Sequence, residues 1–245
     1  MDASDLLIVI PARGGSKGLP GKNAKTLGDY PLLKWTSDAV AQSGLTGFQC
    51  ILSTDDNVIA GIGKEAGMDV PFTRPDLLST DTASAVDVCC HALEWFAAER
   101  NFNATYLMLL QPTSPFRPPH VIREAYTMLC KDNTDAVIGV KSIHRSTSTL
   151  FHADEHFNMT PLDSEATLIT RRQDTRTLYT PNGAMYAIKN ETLLEQQTLF
   201  PVRKTGIILD QIQSHDIDDS TDWEIATALV NSGLSWRSVP APSGS

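Results

Sequence analysis

The chain has 245 residues, a formal net charge of -9 and a hydrophobic content of 41%. That length can bury a full core, most simply as one α/β domain with an elaboration; the acidic balance excludes nucleic acid, whose backbone demands an extended basic face. No stretch reaches the roughly 20 apolar residues of a membrane span, and the acidic start from Met1 to Asp5 does not read as a secretory leader, so the expected location is the cytoplasm, away from membranes.

In chain order, the apolar run Leu6–Ile10 predicts a buried strand. It breaks at Pro11 into a loop holding Gly14, Gly15, Gly18 and Gly21, with Arg13, Lys17 and Lys22 set among them. No acidic residue occurs from Leu6 to Gly28. Glycines let backbone N–H groups approach a ligand and the cations supply charge, so this loop predicts polyphosphate binding. It is not a Walker A loop, because five residues separate Gly15 from Gly21 and Asn23 follows Lys22. Nor is it a dinucleotide fingerprint, since Pro20 interrupts the stretch.

Pro31–Ser43 has helical spacing through Leu33, Trp35, Ala39 and Val40 and stops at Gly44. Gln49–Ser53 predicts a strand, Asn57–Ala66 a helix closed by Gly67, and Val70–Phe72 a short strand. Ser84–Arg100 predicts a longer helix, Tyr106–Leu110 a strand, Pro118–Lys131 a helix opened by prolines, and Ala136–Val140 a strand. The rhythm implies a Rossmann-like, mostly parallel sheet with helices on both faces. It fails between Lys141 and Pro181, a polar segment containing Arg145, Arg171, Arg172 and Arg176. About forty residues are too many for a plain loop in a compact domain, so this segment reads as a β-rich arm. Gly183–Ile188 returns as a strand, and Thr221–Asn231 is the last helix, capped by Ser220 or Thr221. The expected division is a body from 1–140 and 182–239, an arm at 141–181 and a disordered tail at 240–245.

Asp216 and Asp218 follow the apolar run Ile207–Leu209. If extended, they share one face with Ile217 on the other. Two adjacent hard oxygen ligands suit Mg²⁺ (or Mn²⁺), which leaves its other positions to phosphate and water. The alternative is an acidic turn that caps the last helix, for which Asp219 and Asp222 serve. A calcium loop is excluded, because Thr221 stands where Gly is required and Thr227 where Glu is required. Asp55 ends a strand, a usual place for sites in open sheets, or caps the following helix. Gln111 stands at another strand end and is expected in the crevice. His152 and His156 flank Asp154 and Glu155 and do not form a zinc motif. Cys50, Cys89, Cys90 and Cys130 lack metal-ligand spacing and read as reduced core residues.

The stretch from Pro11 to Asn23 resembles the nucleotide loop of the CMP-N-acylneuraminate (nonulosonate) cytidylyltransferase family. The resemblance recurs in order at Ser53–Asp55, at Arg74-Pro75 with Ser79–Ala83, at Leu110–Arg117, at Pro181–Tyr186 and at Asp216–Asp218. It implies a nucleotide-diphospho-sugar transferase-like α/β fold and a homodimer formed through the arm. The implied reaction couples CTP to the anomeric hydroxyl of an acidic nine-carbon sugar and releases pyrophosphate, as in surface polysaccharide synthesis.

The resemblance assigns nucleotide contacts to Ala12, Arg13, Gly14, Lys22, Asn23, Arg74 and Thr82. It gives catalytic charge to Arg13, Lys17, Lys22, Asp216 and Asp218, with Asp216 and Asp218 as metal ligands. Sugar contacts fall to Gln111, Arg172, Tyr186 and Phe200, the last beside Leu199. The chain departs from the family at Thr180 and Ser148, where relatives carry an arginine and a lysine, and at Ala85, where relatives can carry a serine. The first two departures lie on the sugar side, so neuraminic, legionaminic and pseudaminic acids all stay open. An eight-carbon sugar acid of the KDO type is a rival, although such relatives usually lack the Gly-Gly-Ser-Lys loop. A nucleotide-binding regulator without turnover is a second rival, but it would need no metal pair beside its phosphate loop.

Overall fold

Alternate residues of β1 (Leu6–Pro11) enter opposite cores: Leu6, Ile8 and Ile10 pack on one face of a sheet, Leu7 and Val9 on the other. A strand buried on both faces reads as a continuous apolar run, as this one does. The computed structural model describes residues 1–16, 18–131, 133–143, 147–162 and 177–237. Lys17, Arg145, Arg171, Arg172, Arg176, the Ser148 side chain and the tail at 240–245 lie outside them.

After β1 come a small ribbon of β2 (Thr26–Leu27) and β3 (Tyr30–Pro31), then α1 (Leu32–Ala41), β4 (Gln49–Ser53), α2 (Asn57–Glu65) and α3 (Ala85–Arg100). The chain continues through β5 (Tyr106–Leu110), α4 (Pro119–Leu129) and β6 (Ala136–Ile143) to a hairpin of β7 (Phe151–Ala153) and β8 (Met159–Pro161). It closes with β9 (Leu178–Lys189), α5 (Asn190–Gln196), β10 (Lys204–Ile208) and α6 (Ser220–Asn231). Among the described residues, the main sheet has six strands in the order β10-β6-β9-β5-β1-β4. Residues of α1, α2 and α4 cover one face and those of α3 and α5 the other. No described helix is long and apolar enough to cross a membrane.

The expected alternation holds through β5, with four corrections. Val70–Phe72 is not a strand: only isolated bridges form beside it, Ile51 to Asp69 and Thr54 to Thr73, because Pro71 removes a ladder donor. The returning strand runs from Leu178 rather than Gly183 and is antiparallel to both neighbours. Its first residues pair β6 alone, Leu178 opposite Ile143, beyond the end of β5. Two short elements, α5 and β10, carry too little pattern to announce themselves. Lastly, only Cys89 among the four free thiols is fully buried, and Cys130 is exposed.

β4 and β5 flank β1 on opposite sides, so the chain reverses its winding between β1 and β5. Open sheets bind ligands at such a switch point, beyond the carboxyl ends of the strands. A third buried cluster sits below it, where Trp35, Phe116, Ile217 and Ala226 meet. Arg117, 1% exposed, lies close by. Its guanidinium donates to the Gln111 and Ala184 carbonyls and to the Thr36 hydroxyl oxygen, and burial lowers its pKa.

Candidate active site

An open cleft of about 580 Å³ lies at the switch point. Arg13, Ser16, Gly18, Lys22 and Asn23 line it from the loop after β1. Gln111 and Thr113 follow β5, Arg74 and Asp81 come from the segment before α3, and Asp216 and Asp218 close the far side. Five of the expected site residues that are widely separated in sequence, Arg13, Lys22, Arg74, Gln111 and Asp216, therefore share one cavity.

The loop is folded against the acidic segment by short bonds. Lys22 Nζ donates to the Ile217 carbonyl at 2.6 Å and lies 3.3 Å from Asp218 Oδ1. Asn23 Nδ2 donates to the Arg13 carbonyl at 3.2 Å, leaving Asn23 Oδ1 buried without a partner. At Gly18 a Cβ would lie 2.3 Å from the Asp218 carbonyl oxygen, so only glycine permits this close approach. The Ala12 amide donates to the Ser53 carbonyl, and the Gly14 amide to Asp55 Oδ1 at 3.1 Å. Those two backbone donors are thus engaged within the protein, and the described cleft wall sets Arg13, Lys22 and Arg74 against Asp81, Asp216 and Asp218.

Arg74 is 3% exposed. It donates through Nε to Ser79 Oγ and through Nη2 to Asp55 Oδ1 at 3.4 Å. Burial lowers its pKa, Asp55 opposes that shift, and neighbouring Arg13 adds to it. Asp55 therefore braces Arg74 and the loop, whereas the cap of α2 is Asp56, which accepts from the Val58 and Ile59 amides. Thr82 is absent from the cleft wall; Thr80, Asp81 and Ala83 stand there instead.

The segment carrying Asp216 and Asp218 belongs to no strand ladder and follows a turn at 211–214. Ile217 is fully buried and its amide donates to the Thr113 carbonyl. As expected, both carboxylates line the cleft, Asp216 half-buried and Asp218 exposed. Burial raises the Asp216 pKa, a Thr113 hydrogen bond opposes the shift, and Asp218 adds to it. Asp219, not Ser220 or Thr221, caps α6: its Oδ1 accepts from the Thr221 and Asp222 amides, and Asp222 Oδ2 accepts in return from the Asp218 and Asp219 amides. An aspartate reaches both amides with one carboxylate and suits the positive helix end better than a hydroxyl does.

These residues fit a hard cation in one respect that can be checked directly. Asp216 Oδ1 is buried and has no hydrogen-bond partner, a costly state that a cation would relieve. No group of three or more metal-ligating side chains occurs among the described residues, so phosphate and water oxygens would have to complete the coordination.

The expected sugar residues divide. Gln111 belongs to the cleft, and Gly183, at φ +77°, leaves room for it: a Cβ there would meet Gln111 Oε1 at 2.9 Å and Asp216 Oδ2 at 3.2 Å. Tyr186 is half-buried, and its hydroxyl pKa is raised by burial and by the charge of Asp216. It packs edge-on against Phe200, whose ring lies on a second, apolar groove between β6, β9 and β10. Arg172 lies outside the described residues. Sequence reasoning missed Asp81 and Thr113. The signal for Asp81 was its position as the lone carboxylate of the Ser79–Ala83 stretch, facing an acid-free loop; Thr113 gave no signal of its own.

Comparison with known proteins agrees with this architecture. The family model described as cytidylyltransferase matches residues 7–232. An N-acylneuraminate cytidylyltransferase of Escherichia coli is 32% identical over 225 residues, 91% of this chain but 52% of that protein. The chain thus spans about half the length of that relative. A CMP-N,N'-diacetyllegionaminic acid synthase of Legionella pneumophila is also 32% identical, over 92% of this chain and 96% of its own. A solved CMP:2-keto-3-deoxy-manno-octonic acid synthetase in complex with CTP superposes with a TM-score of 0.65 over 93% of this chain and 98% of its own, at 17% identity, a likeness of fold. With its switch-point cleft, cationic loop and family match over most of its length, the chain belongs to the cytidylyltransferase family.

Proposed function

We propose that this protein transfers CMP from CTP to the anomeric hydroxyl of an acidic nine-carbon sugar, releasing pyrophosphate. The observation that carries the reading is the convergence of Arg13, Lys22 and Arg74 with the Asp216–Asp218 pair in one cleft. Relatives of this chain named for N-acylneuraminate, legionaminic acid and pseudaminic acid favour a nine-carbon over an eight-carbon acid. Within that class the sugar stays open, because Arg172 and the departures at Thr180 and Ser148 bear on it.

In this reading the buried Arg74 and the Ser79–Ala83 segment receive the cytosine, and Arg13 and Lys22 stabilise the phosphates, a role that the sequence also gives to Lys17. Gln111 orients the sugar so that its hydroxyl lies in line with the α-phosphorus and the leaving pyrophosphate. Catalysis of this kind rests on positioning and charge neutralisation. Asp216 and Asp218 would hold Mg²⁺, which when bound supplies further neutralisation of phosphate charge. The exposed Phe151, Phe157, Met159 and Leu162 of the β7–β8 hairpin, together with the apolar groove beside Phe200, support a homodimer formed through the arm.

The test is pyrophosphate release from CTP with neuraminic, legionaminic and pseudaminic acids and an eight-carbon acid. Release with at least one nine-carbon acid, and less with the eight-carbon one, is expected. Release with none of them would overturn the reading.

A further inference from the structure

The acidic side chain nearest the phosphate loop's arginine is neither of the candidate metal ligands. Asp81 Oδ1 lies 2.8 Å from Arg13 Nη1, and the two side chains face each other across the cleft, 40% and 33% exposed. Asp81 sits at the crest of a tight turn closed by the Ala83 amide on the Thr80 carbonyl, between the Ser79 hydroxyl that receives Arg74 and the Ser84 cap of α3. The turn places the carboxylate on the wall of the open cleft, where it stays accessible to solvent.

A pair this exposed contributes about 0–1 kcal/mol to folding, so stability alone does not account for it. Its location does suggest a consequence. A carboxylate and a phosphate oxygen compete for the same guanidinium donors. Among the described residues, two other carboxylates near the loop are engaged with other groups: Asp55 holds Arg74 and the Gly14 amide, and Asp218 pairs with Lys22. We infer that Asp81 is an internal counter-ion of the phosphate site, a carboxylate that holds Arg13 in the free protein, yields to the incoming triphosphate and reclaims Arg13 as pyrophosphate departs. Its function is to limit anion affinity, so that the highly charged product does not remain bound. The inference rests on the proposed phosphate role of Arg13.

The test is titration calorimetry of the full chain with CTP and with inorganic pyrophosphate, each in Mg²⁺. Asp81→Asn keeps the shape and removes the charge, and it is expected to bind both ligands more tightly by about fivefold or more, the size of one opposite charge at contact distance in a solvated site. Raised ionic strength should shrink that gain. Asp81→Glu, which restores the charge, should return towards wild-type affinity. Arg13→Ala should weaken both ligands, and the gain from Asp81→Asn should be smaller in the Arg13→Ala background than in the wild type. If Arg13→Ala weakens binding but Asp81→Asn leaves it unchanged or weaker, the counter-ion role is overturned. If Arg13→Ala leaves binding unchanged, the phosphate reading of the loop falls first and this inference with it.

Discussion

At Asp216, burial works against charge. The carboxyl group sits half-buried beside Asp218, one oxygen lacks a partner, and its pKa is raised above the ordinary value. A folded-state pKa above the unfolded one means that the native protein holds the proton more tightly. Stability from this group is present in acid and lost as pH rises through the folded value. Asp216→Asn should therefore melt at a higher temperature than wild type at pH 7 without metal, and the gap should close as pH falls through the carboxylate range. The same variant should lose turnover by ~10²-fold or more, since a charge poised for the reaction is gone. Equal melting temperatures at neutral pH would contradict the assigned strain. Arg13→Ala and Lys22→Ala should each lower turnover by ~10²-fold or more, as for other preorganised cations at a transferring phosphoryl group; steady-state assay decides it, and near-normal rates in both would remove the phosphate role. Residue types at this scale were legible because charge was conspicuous: cations in an acid-free loop and a carboxylate pair after an apolar run. Asp81 escaped because its partner lies far off in sequence, and no local pattern ties a turn aspartate to a distant arginine.

Among the elements, α6 links helix capping to the site. Its capping box uses Asp219 and Asp222, and the Asp222 carboxylate also holds the Asp218 amide at 2.9 Å. Asp219→Ala should cost about 1 kcal/mol of stability. It should also raise the Mg²⁺ concentration needed for half-maximal rate, because Asp218 precedes the cap, whereas Asp219→Asn should restore both. A lowered melting point with unaltered Mg²⁺ dependence would separate the helix from the site. The edges of β4 and β5 were readable to the residue because both strands are apolar runs bounded by polar or turn-forming neighbours. β9 was only half-readable: its buried end carries Ala184, Met185, Ala187 and Ile188, but its first residues alternate with exposed ones and pair one neighbour only. The Asp216–Asp218 stretch read as extended because Ile217 lies between two acids, and Ile217 is buried in the cluster around Trp35 rather than in the main sheet.

For the whole molecule, the hairpin after β6 presents Phe157 at 85% exposure and Met159 at 64%. Apolar side chains so exposed on one small element suit contact with a second copy. Removing residues 151–162 should give a monomer by light scattering that still binds CTP but uses the sugar poorly; a fully active monomer of the intact chain would refute the dimer. Arg117 bears on how the molecule assembles at all. Its buried guanidinium rests on Thr36, Gln111 and Ala184, which lie in the first, middle and last thirds of the chain. A charge buried with only some of its partners is costly, so a partly folded chain that has enclosed Arg117 but not yet placed β9 is penalised. Folding and completion of the cleft are thereby tied into one cooperative event: a chain interrupted between β6 and β9 would gain neither a stable half nor half of an active site.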